Sequence, residues 1–392
     1  MIKNLFKDYI YPIAVFCGGM VGVGFLSLPH VAMRSGIWTM LLYFLVLTAM
    51  VVAINLIFCQ ISLKTPDFKR FPGFVGYYLG KWPKFFAMIS VILGTIGVLL
   101  AYLLVGGQFL SSVFQPIFSG NILAYVFVYF FIVSVIIYFD IKIVARVEFW
   151  VMALLFLAVL FIFIAGFSQI KLSNIFFSRQ GGIPLSGTNL FLPYGPLLFA
   201  LWGIGLIPEV EEMLAGPNGR SKDSPKRRLK TIITVSTIII SGFYLLFVFL
   251  ILGITGERTD PTALAGLKSF LPEAVVSVAL LIGALATFTA FIMQGIIFKK
   301  TLMFDLKIKH WQAFVMTCFP PLILFLLGLN SFIPLLSFVG GVLLGINGIL
   351  ILLMYRKIAC LPAGRVAKNI TIWVLSFVFI LGVIYEIVYF IK

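Results

Sequence analysis

Two apolar segments, half a chain apart, are each interrupted by glycines and contain a proline soon after the interruption. They are GGMVGVGFLSLP, from Gly18 to Pro29, and WGIGLIPEVEE, from Trp202 to Glu212. Inside a lipid bilayer every backbone N–H and C=O group needs a hydrogen-bond partner, so a broken helix persists only where protein, water or a ligand meets the freed groups. Paired breaks in the two halves of a chain are typical of the substrate site of a membrane transporter.

The composition places the chain in a membrane. Hydrophobic residues make up 62% of it and charged residues only 11%, whereas about a quarter of a soluble globular protein is charged. A helix needs about 20 apolar residues to cross the hydrocarbon core, and the sequence contains eleven stretches of about that length. We call them spans 1 to 11, and they cover residues 9–30, 37–62, 85–113, 122–139, 147–169, 194–214, 231–254, 274–297, 312–329, 332–354 and 370–391.

Basic residues outnumber acidic ones, with 29 Lys and Arg against 13 Asp and Glu. When the eleven spans are threaded with the N-terminus in the cytoplasm, most of the basic residues fall on the cytoplasmic side, as the positive-inside rule requires. The positive charge is therefore a topology signal and gives no support for nucleic-acid binding. We expect a multi-pass protein of the plasma (inner) membrane, in contact with the lipid bilayer, with its C-terminus outside.

The two broken segments lie in spans 1 and 6, each at the start of a group of five spans. An odd number of crossings inverts the second group relative to the first. We therefore predict an all-α polytopic protein with a single transmembrane domain and discontinuous spans 1 and 6. Residues 9–169 and 194–354 are expected to form the inverted repeats, and residues 370–391 an accessory helix.

Gly22, Val23 and Gly24 are the first candidate site residues. If span 1 stops near Gly22 and restarts after it, the second half offers free N–H groups and a positive dipole end to a carboxylate. Glycine also lets the backbone approach a ligand closely. The alternative is that these glycines serve close helix packing.

Span 6 repeats the pattern at Trp202, Gly203 and Gly205. They come just before Pro208, which cannot donate to the helix ladder. Free carbonyls at this break are expected to hold a substrate amine, and Trp202 is expected to line or gate the pocket. The alternative for Trp202 is a packing or lipid-facing role.

The motifs GGMVGVGFLSLP of span 1 and ALWGIGLIPEVEEML of span 6 resemble those of the amino acid permeases. Weaker likenesses are AYLLVGGQFL, residues 101–110 of span 3, and ALATFTAF, residues 284–291 of span 8. The likeness is strongest to the branch of the aromatic amino acid (tryptophan and tyrosine) permeases and the amino acid/auxin permeases. It covers spans 1 to 10 and implies the LeuT-type fold, with the substrate between spans 1, 3, 6 and 8 and uptake driven by a cation.

The resemblance also implies roles for individual residues. Relatives often have an acid at the position of Gly205, in the form G-F-E-x-I-P, so a coupling role for that carboxylate is absent or displaced in this chain. The residues that match the family's substrate site are Gly22, Val23 and Gly24 for the carboxylate, Trp202, Gly203 and Gly205 for the amine or side chain, and Tyr102 and Gly106 for the pocket lining.

The coupling ion is a proton or sodium. Sodium-coupled members use hydroxyls of span 8, where Thr287 and Thr289 supply them, although both threonines are equally suited to helix packing. Some proton-coupled relatives carry a lysine in span 5, which residues 147–169 lack. The acid cluster from Glu209 to Glu212 is expected to form a structural or gating network with cytoplasmic Lys and Arg. The alternative is that Glu209, the deepest of these acids, carries a proton and is an ion-coupling candidate.

Polar groups elsewhere are given structural interpretations. Glu386, near the outer end of span 11, is expected to extend to water, and His30 is expected to be an interfacial histidine. Residues 72–80 predict a short helix along the membrane surface, and residues 256–272 an outer lid. The sequence has no CxxC pair and only two distant histidines, so we expect no metal site.

The sequence thus favours a secondary active transporter that takes up a neutral amino acid with protons by alternating access. Sodium coupling, or a non-transport protein such as a channel, is the alternative. Small residues at Gly19, Val23, Gly106 and Gly205 leave room for a large side chain such as an aromatic one, and a branched or small neutral side chain is also compatible. We expect that the protein is not an enzyme, binds no organic cofactor and needs no obligatory protein partner.

Overall fold

The computed structural model describes residues 6–65, 69–139, 144–176, 190–215, 225–358 and 365–391, and these are almost entirely helical. We number the α-helices in chain order. They are α1 (Tyr11–Met20), α2 (Gly24–Ser35), α3 (Ile37–Lys64), α4 (Phe71–Leu79), α5 (Lys81–Phe118), α6 (Ile122–Tyr138), α7 (Val144–Gly166), α8 (Leu172–Phe176), α9 (Tyr194–Leu201), α10 (Leu206–Ala215), α11 (Pro225–Thr255), α12 (Glu273–Asp305), α13 (His310–Leu326), α14 (Phe332–Ser337), α15 (Gly345–Ile358) and α16 (Arg365–Ile391).

Each of the eleven apolar segments contains helix, which confirms the all-α prediction for the described residues. Six helical segments are long and apolar enough to cross a membrane, and α1 with α2 forms a seventh, bent span. Spans 4, 5 and 9 contain shorter apolar helices, and span 6 is divided between α9 and α10. The count of eleven crossings and the division into repeats stay predictions.

Span 1 is broken where the glycines predict it. Helix α1 ends at Met20, Val21 is extended, and α2 begins at Gly24. The two halves are bent by 62° relative to each other. The amide of Val21 closes the first half by donating to the carbonyls of Cys17 and Gly18, both at 3.2 Å.

Span 6 is broken in the same way. Helix α9 ends at Leu201, Trp202 is extended, and α10 begins at Leu206. Tight turns bridge the gap. The amide of Leu206 donates to the carbonyl of Gly203, and the amide of Ile207 donates to the carbonyl of Ile204. Both predicted discontinuities are therefore present.

Span 10 contains an irregularity that sequence analysis missed. Residues Phe338–Leu344, between α14 and α15, are π-helical, and such segments occur often at functional sites. A Cβ at Gly340 would lie 2.0 Å from the carbonyl oxygen of Gly195 in α9. Only glycine permits this approach, so Gly340 fixes the spacing between span 10 and the first half of span 6.

Two long helices support the broken spans. Helix α11 packs against α1, α2 and α3, and α12 packs against α5 and α7. The predicted short helix is present as α4, with Phe74 and Val75 buried and Tyr77 exposed. Residues 256–272 form two 3₁₀ turns, and Nδ1–H of His30 donates to the carbonyl of Thr259 in this segment at 2.7 Å.

The prediction for Glu386 is wrong. Its side chain is only 1% exposed and lies between Gly195 of α9 and Gly341 of the π-helical segment. The reason is close packing of α16: a Cβ at Gly382 would lie 2.0 Å from the ring of Tyr194, so α16 sits directly against α9. This contact turns Glu386 inward.

Lys299 is also buried. It follows span 8, and the positive-inside pattern predicts that it lies in a cytoplasmic loop. Its Nζ–H groups donate to the carbonyls of Ile137, at 2.5 Å, and Tyr138, at 3.3 Å, and its Nζ lies 3.3 Å from Nε2 of His310. A cation at the carboxyl end of α6 complements the helix dipole. Lys299 therefore joins α6, α12 and α13.

We predict that Lys299→Met destabilises the protein by about 2 kcal/mol, because hydrogen bonds to charged groups contribute roughly 1.5–3 kcal/mol. The measurement is the thermal unfolding midpoint in detergent. The matched control is Lys300→Met, since Lys300 is the exposed neighbour on the same helix. Equal midpoints for the two variants would contradict this role of Lys299.

Candidate substrate site

A cavity lies beside the break in span 1. Its wall combines the break itself with α2, α5, α7 and α12. The space is about 20 Å³, which is close to the 10–15 Å³ or so that one water molecule requires. The site is therefore contracted in this structure. Four predicted site residues contribute to its wall, namely Gly22, Val23, Tyr102 and Thr287.

Tyr102 and Gly22 face each other across this cavity. Tyr102 lies in α5 and is 7% exposed. A Cβ at Gly22 would lie 2.8 Å from the hydroxyl of Tyr102. Glycine at position 22 therefore leaves space for a phenol group directly over the backbone of the break.

The positive end of α2 also points to this cavity. A helix leaves its first N–H groups without partners inside the helix, and α2 begins at Gly24 beside the cavity wall. The amide of Leu26 is satisfied by a tight turn to the carbonyl of Val23. The N–H groups before Leu26 and the helix dipole together favour an anion such as a carboxylate.

Three predicted site glycines serve contacts between the two breaks. A Cβ at Gly24 would lie 2.6 Å from Phe199 of α9, and one at Gly19 would lie 2.5 Å from Leu206 of α10. A Cβ at Gly203 would lie 3.1 Å from Phe16. The structure thus assigns these glycines to close packing, which was the alternative considered for the glycines of span 1.

Gly106 lies behind the cavity rather than on its wall. A Cβ there would lie 2.3 Å from the ring of Tyr129 and 2.9 Å from Oγ1 of Thr287. The hydroxyl of Thr287 donates to the carbonyl of Ala284 at 2.8 Å, which leaves oxygen lone pairs for a cation or ligand. Gly106 therefore allows α5 to approach the Tyr129 and Thr287 side chains.

The remaining candidates lie away from the cavity wall. Trp202 is half-buried against the core, and Gly205 is exposed, with no heavy atom within 4 Å of the position of a Cβ. Thr289 is buried, and its hydroxyl donates to the carbonyl of Ala286 at 3.1 Å. Of these three described residues, none lines the cavity.

In the acid cluster, Glu211 is the buried residue and Glu209 is exposed. Ser62 of α3 donates a hydrogen bond to the carboxylate of Glu211. Arg70 lies close enough to Glu209 to interact with its charge. The face of α10 that meets α3 carries Glu211, so Glu211 is the more buried of the two acids, and a proton-carrying role of Glu209 stays a prediction.

Tyr244 of α11 is the residue beside the two breaks that sequence analysis missed. It is fully buried, and its hydroxyl lies 3.0 Å from the carbonyl oxygen of Met20 and 3.3 Å from that of Ala200. These carbonyls belong to the ends of α1 and α9, so one hydroxyl donor serves both breaks. Phe25 stacks on the Tyr244 ring with an interplanar angle of 3°. Span 7 lacks an interruption, so no local signal marked this tyrosine.

Comparison with known proteins agrees with this architecture. The model of the tryptophan/tyrosine permease family matches residues 7–388. The chain belongs to this family. No curated protein sequence matches the chain.

Among solved structures, the permease is similar to MhsT, in a crystal structure described as a complex with L-phenylalanine. The TM-score is 0.60 at 15% sequence identity, and the match covers 96% of this chain and 97% of MhsT. At this identity the likeness concerns the fold, and it supports the predicted LeuT-type fold. The family and fold together identify an amino acid permease embedded in a membrane.

We predict that Gly22→Ala weakens amino acid binding about tenfold or more, because the new methyl group collides with the hydroxyl of Tyr102. Overpacking costs roughly 1–3 kcal/mol, and 1.4 kcal/mol corresponds to about tenfold in affinity. The measurement is equilibrium binding of labelled amino acid to purified protein. Tyr102→Phe removes the colliding atom, so adding Gly22→Ala to Tyr102→Phe is expected to cost less affinity than adding it to the unmodified protein.

Gly18→Ala is the matched control for Gly22→Ala, since a Cβ at Gly18 would have no other part of the described structure within 4 Å apart from its own helix. It is expected to bind like the unmodified protein. Equal affinities of the Gly18 and Gly22 variants would show that Tyr102 does not limit the space at the break.

We predict that Tyr244→Phe lowers both the stability and the uptake rate, because it removes the donor between the two breaks. A buried carbonyl without a partner costs roughly 1–3 kcal/mol. Thermal unfolding and initial uptake rates measure the two effects. The control is Tyr125→Phe, which removes a hydrogen bond to the carbonyl of Ser119, also of 3.0 Å, far from the breaks. Identical behaviour of the two variants would argue against Tyr244 as a link.

Proposed function

We propose that this permease is a secondary active transporter that takes up a neutral amino acid, with an aromatic side chain as the first candidate, in symport with protons. The observation that carries the proposal is the cavity formed by the broken span 1, Tyr102 and α12. We place the protein in the plasma (inner) membrane with a cytoplasmic N-terminus and an outer C-terminus, as its basic residues favour.

The substrate carboxylate is proposed to bind at the start of α2. The N–H groups of this half-helix and its dipole supply positive potential without a basic side chain. The hydroxyl of Tyr102, which faces Gly22, is a further donor for the carboxylate. The amine is proposed to bind carbonyls at the break in span 6, near Gly203 and Gly205.

A neutral side chain fits the chemistry of the cavity wall. The wall is formed by aliphatic, aromatic and small residues with the hydroxyls of Tyr102 and Thr287, and its described members include no charged side chain. Burying a charged substrate group there would cost several kcal/mol. We therefore favour a neutral amino acid over a cationic or anionic one.

Binding requires the cavity to widen. About 20 Å³ does not hold an amino acid, and Gly24 lies in direct contact with α9. Movement of the broken span 1 away from α5 and α12, which form the opposite wall, is the motion that enlarges the cavity. The same motion gives alternating access if it occurs on one side of the membrane at a time.

A proton is the coupling ion that we favour. The described residues include two buried carboxyl groups, Glu211 and Glu386, and buried acids within membrane helices commonly mark proton pathways. One charge moved through 100 mV gains about 2.3 kcal/mol, which supports a substrate gradient of about 50-fold at 1.4 kcal/mol per tenfold. A potential across the membrane is thus sufficient to drive uptake.

Sodium coupling is the second candidate, and one observation favours it. Thr287 lines the same cavity as the break in span 1, so its hydroxyl oxygen and backbone carbonyls are the hard oxygen ligands that a sodium ion accepts. Thr289 does not share this position, because it lies outside the cavity wall.

The test is uptake of labelled amino acids into proteoliposomes under separately imposed proton and sodium gradients. We expect saturable uptake of a neutral aromatic amino acid with the proton gradient, with about tenfold accumulation per pH unit for one coupled proton. A protonophore should abolish it, and leucine, alanine and lysine extend the panel. Protein-free liposomes are the control.

The outcomes separate the candidate functions. Accumulation driven by sodium and insensitive to the protonophore would reject proton coupling but keep the transporter. Non-saturable flux that only equilibrates the amino acid would favour a channel. The absence of saturable uptake under both gradients would reject amino acid symport.

A further inference from the structure

A buried carboxyl group joins the accessory helix to the first half of span 6. Glu386 of α16 is 1% exposed. A Cβ at Gly195 of α9 would lie 2.7 Å from its Oε1, and one at Gly341 would lie 2.3 Å from its Cγ. Two glycines, on different helices, therefore form the space that this side chain fills.

The carboxyl group faces the amino end of α9. The amides of Tyr194 and Leu197 are satisfied by the carbonyls of Phe191 and Pro193, and Pro196 has no N–H group. The amide of Gly195 is the one that remains among the described residues of this first turn, and the carboxyl group of Glu386 lies next to Gly195. The dipole of α9 adds positive potential at the same point.

In other respects the surroundings of Glu386 stabilise a charged carboxylate poorly. Within the described residues, neither oxygen of Glu386 has a hydrogen-bond partner of standard geometry. The titratable groups that face it are phenols: Tyr43 of α3, Tyr194 of α9 and Tyr385 of α16 itself. The π-helical segment Phe338–Leu344, on the fourth side, contributes no titratable side chain.

Burying a charged carboxylate without a neighbouring cation costs free energy, and binding of a proton neutralises the charge and removes this cost. We propose that Glu386 is a proton-binding site whose occupancy is coupled to the position of α9. In the charged form the carboxylate is attracted to the nearby Gly195 amide and to the positive end of the helix. The protonated form loses most of this attraction, so protonation releases the amino end of α9.

Helix α9 connects this site to the substrate cavity. Its carboxyl end supplies the Ala200 carbonyl that Tyr244 shares with Met20, and its Phe199 packs on Gly24. The eight residues of α9 span about 12 Å at 1.5 Å per residue. A rigid half-helix of this length transmits a shift at Gly195 to the break in span 1.

This inference rests on the proposed function for its role in transport, since the proton bound at Glu386 would be the one that drives uptake. Proton binding itself does not depend on transport. Glu386→Gln, close in shape to the protonated form, separates the two questions. The control is Glu273→Gln, because Glu273 is exposed in the first turn of α12.

The transport test compares proton-driven accumulation with substrate exchange in proteoliposomes at equal pH on both sides. We expect Glu386→Gln to reduce the accumulation ratio from about tenfold per pH unit to about one, while exchange persists. Glu386→Asp keeps an ionisable group and is expected to retain coupling. Glu273→Gln should behave as the unmodified protein does. Full proton-driven accumulation by Glu386→Gln would overturn the proposal.

The binding test records the infrared carbonyl band of protonated carboxyl groups during a pH titration of purified protein in lipid. We expect a titrating band that is absent in Glu386→Gln and displaced in Glu386→Asp. If the unmodified protein shows no uptake, the proposed function fails while this band still decides the proton site. An identical band in all three proteins would overturn the proton site at Glu386. If the Glu386→Gln variant does not fold, displacement of the band in Glu386→Asp is the test of the site.

Discussion

The structure depends on satisfying the backbone groups that two helix breaks release inside an apolar medium. Each unpaired N–H or C=O group at that depth costs several kcal/mol, so neither break is stable unless its polar groups find partners. Local turns satisfy the amides of Val21 and Leu206. The hydroxyl of Tyr244 then serves the carbonyl ends of both first half-helices. One residue of span 7 thereby stabilises both breaks.

Close packing between the two breaks explains where several glycines are placed. A Cβ at Gly19 or Gly24 would lie within 3 Å of a side chain of span 6, and one at Gly203 would lie 3.1 Å from Phe16 of span 1. Gly22 is different, since it faces Tyr102 across the cavity. Glycines that pack against span 6 and a glycine that lines the cavity therefore occur within one short motif, because successive residues of a bent segment point to different partners.

This distinction marks the limit of what the sequence could predict. The breaks, the apolar spans and the family resemblance depend on local patterns, and all three agree with the structure. The burial of Glu386 and Lys299 depends on which face of a helix meets a neighbour, and that face is set by distant contacts such as Gly382 on Tyr194. Tyr244 lies in an uninterrupted helix, so its link to both breaks could be recognised only in three dimensions.

The contacts between the breaks also divide the four half-helices into two pairs. Gly24 joins α2 to α9, whereas Gly19 joins α1 to α10. Helix α10 is further held to α3 by the hydrogen bond from Ser62 to Glu211, and α9 packs closely against α16 at Gly195 and Tyr194. Each pair therefore packs against a different part of the protein, α3 for one and α16 for the other. The alternating access proposed above requires the two pairs to move separately, and Tyr244, whose hydroxyl contacts α1 of one pair and α9 of the other, lies where the pairs meet.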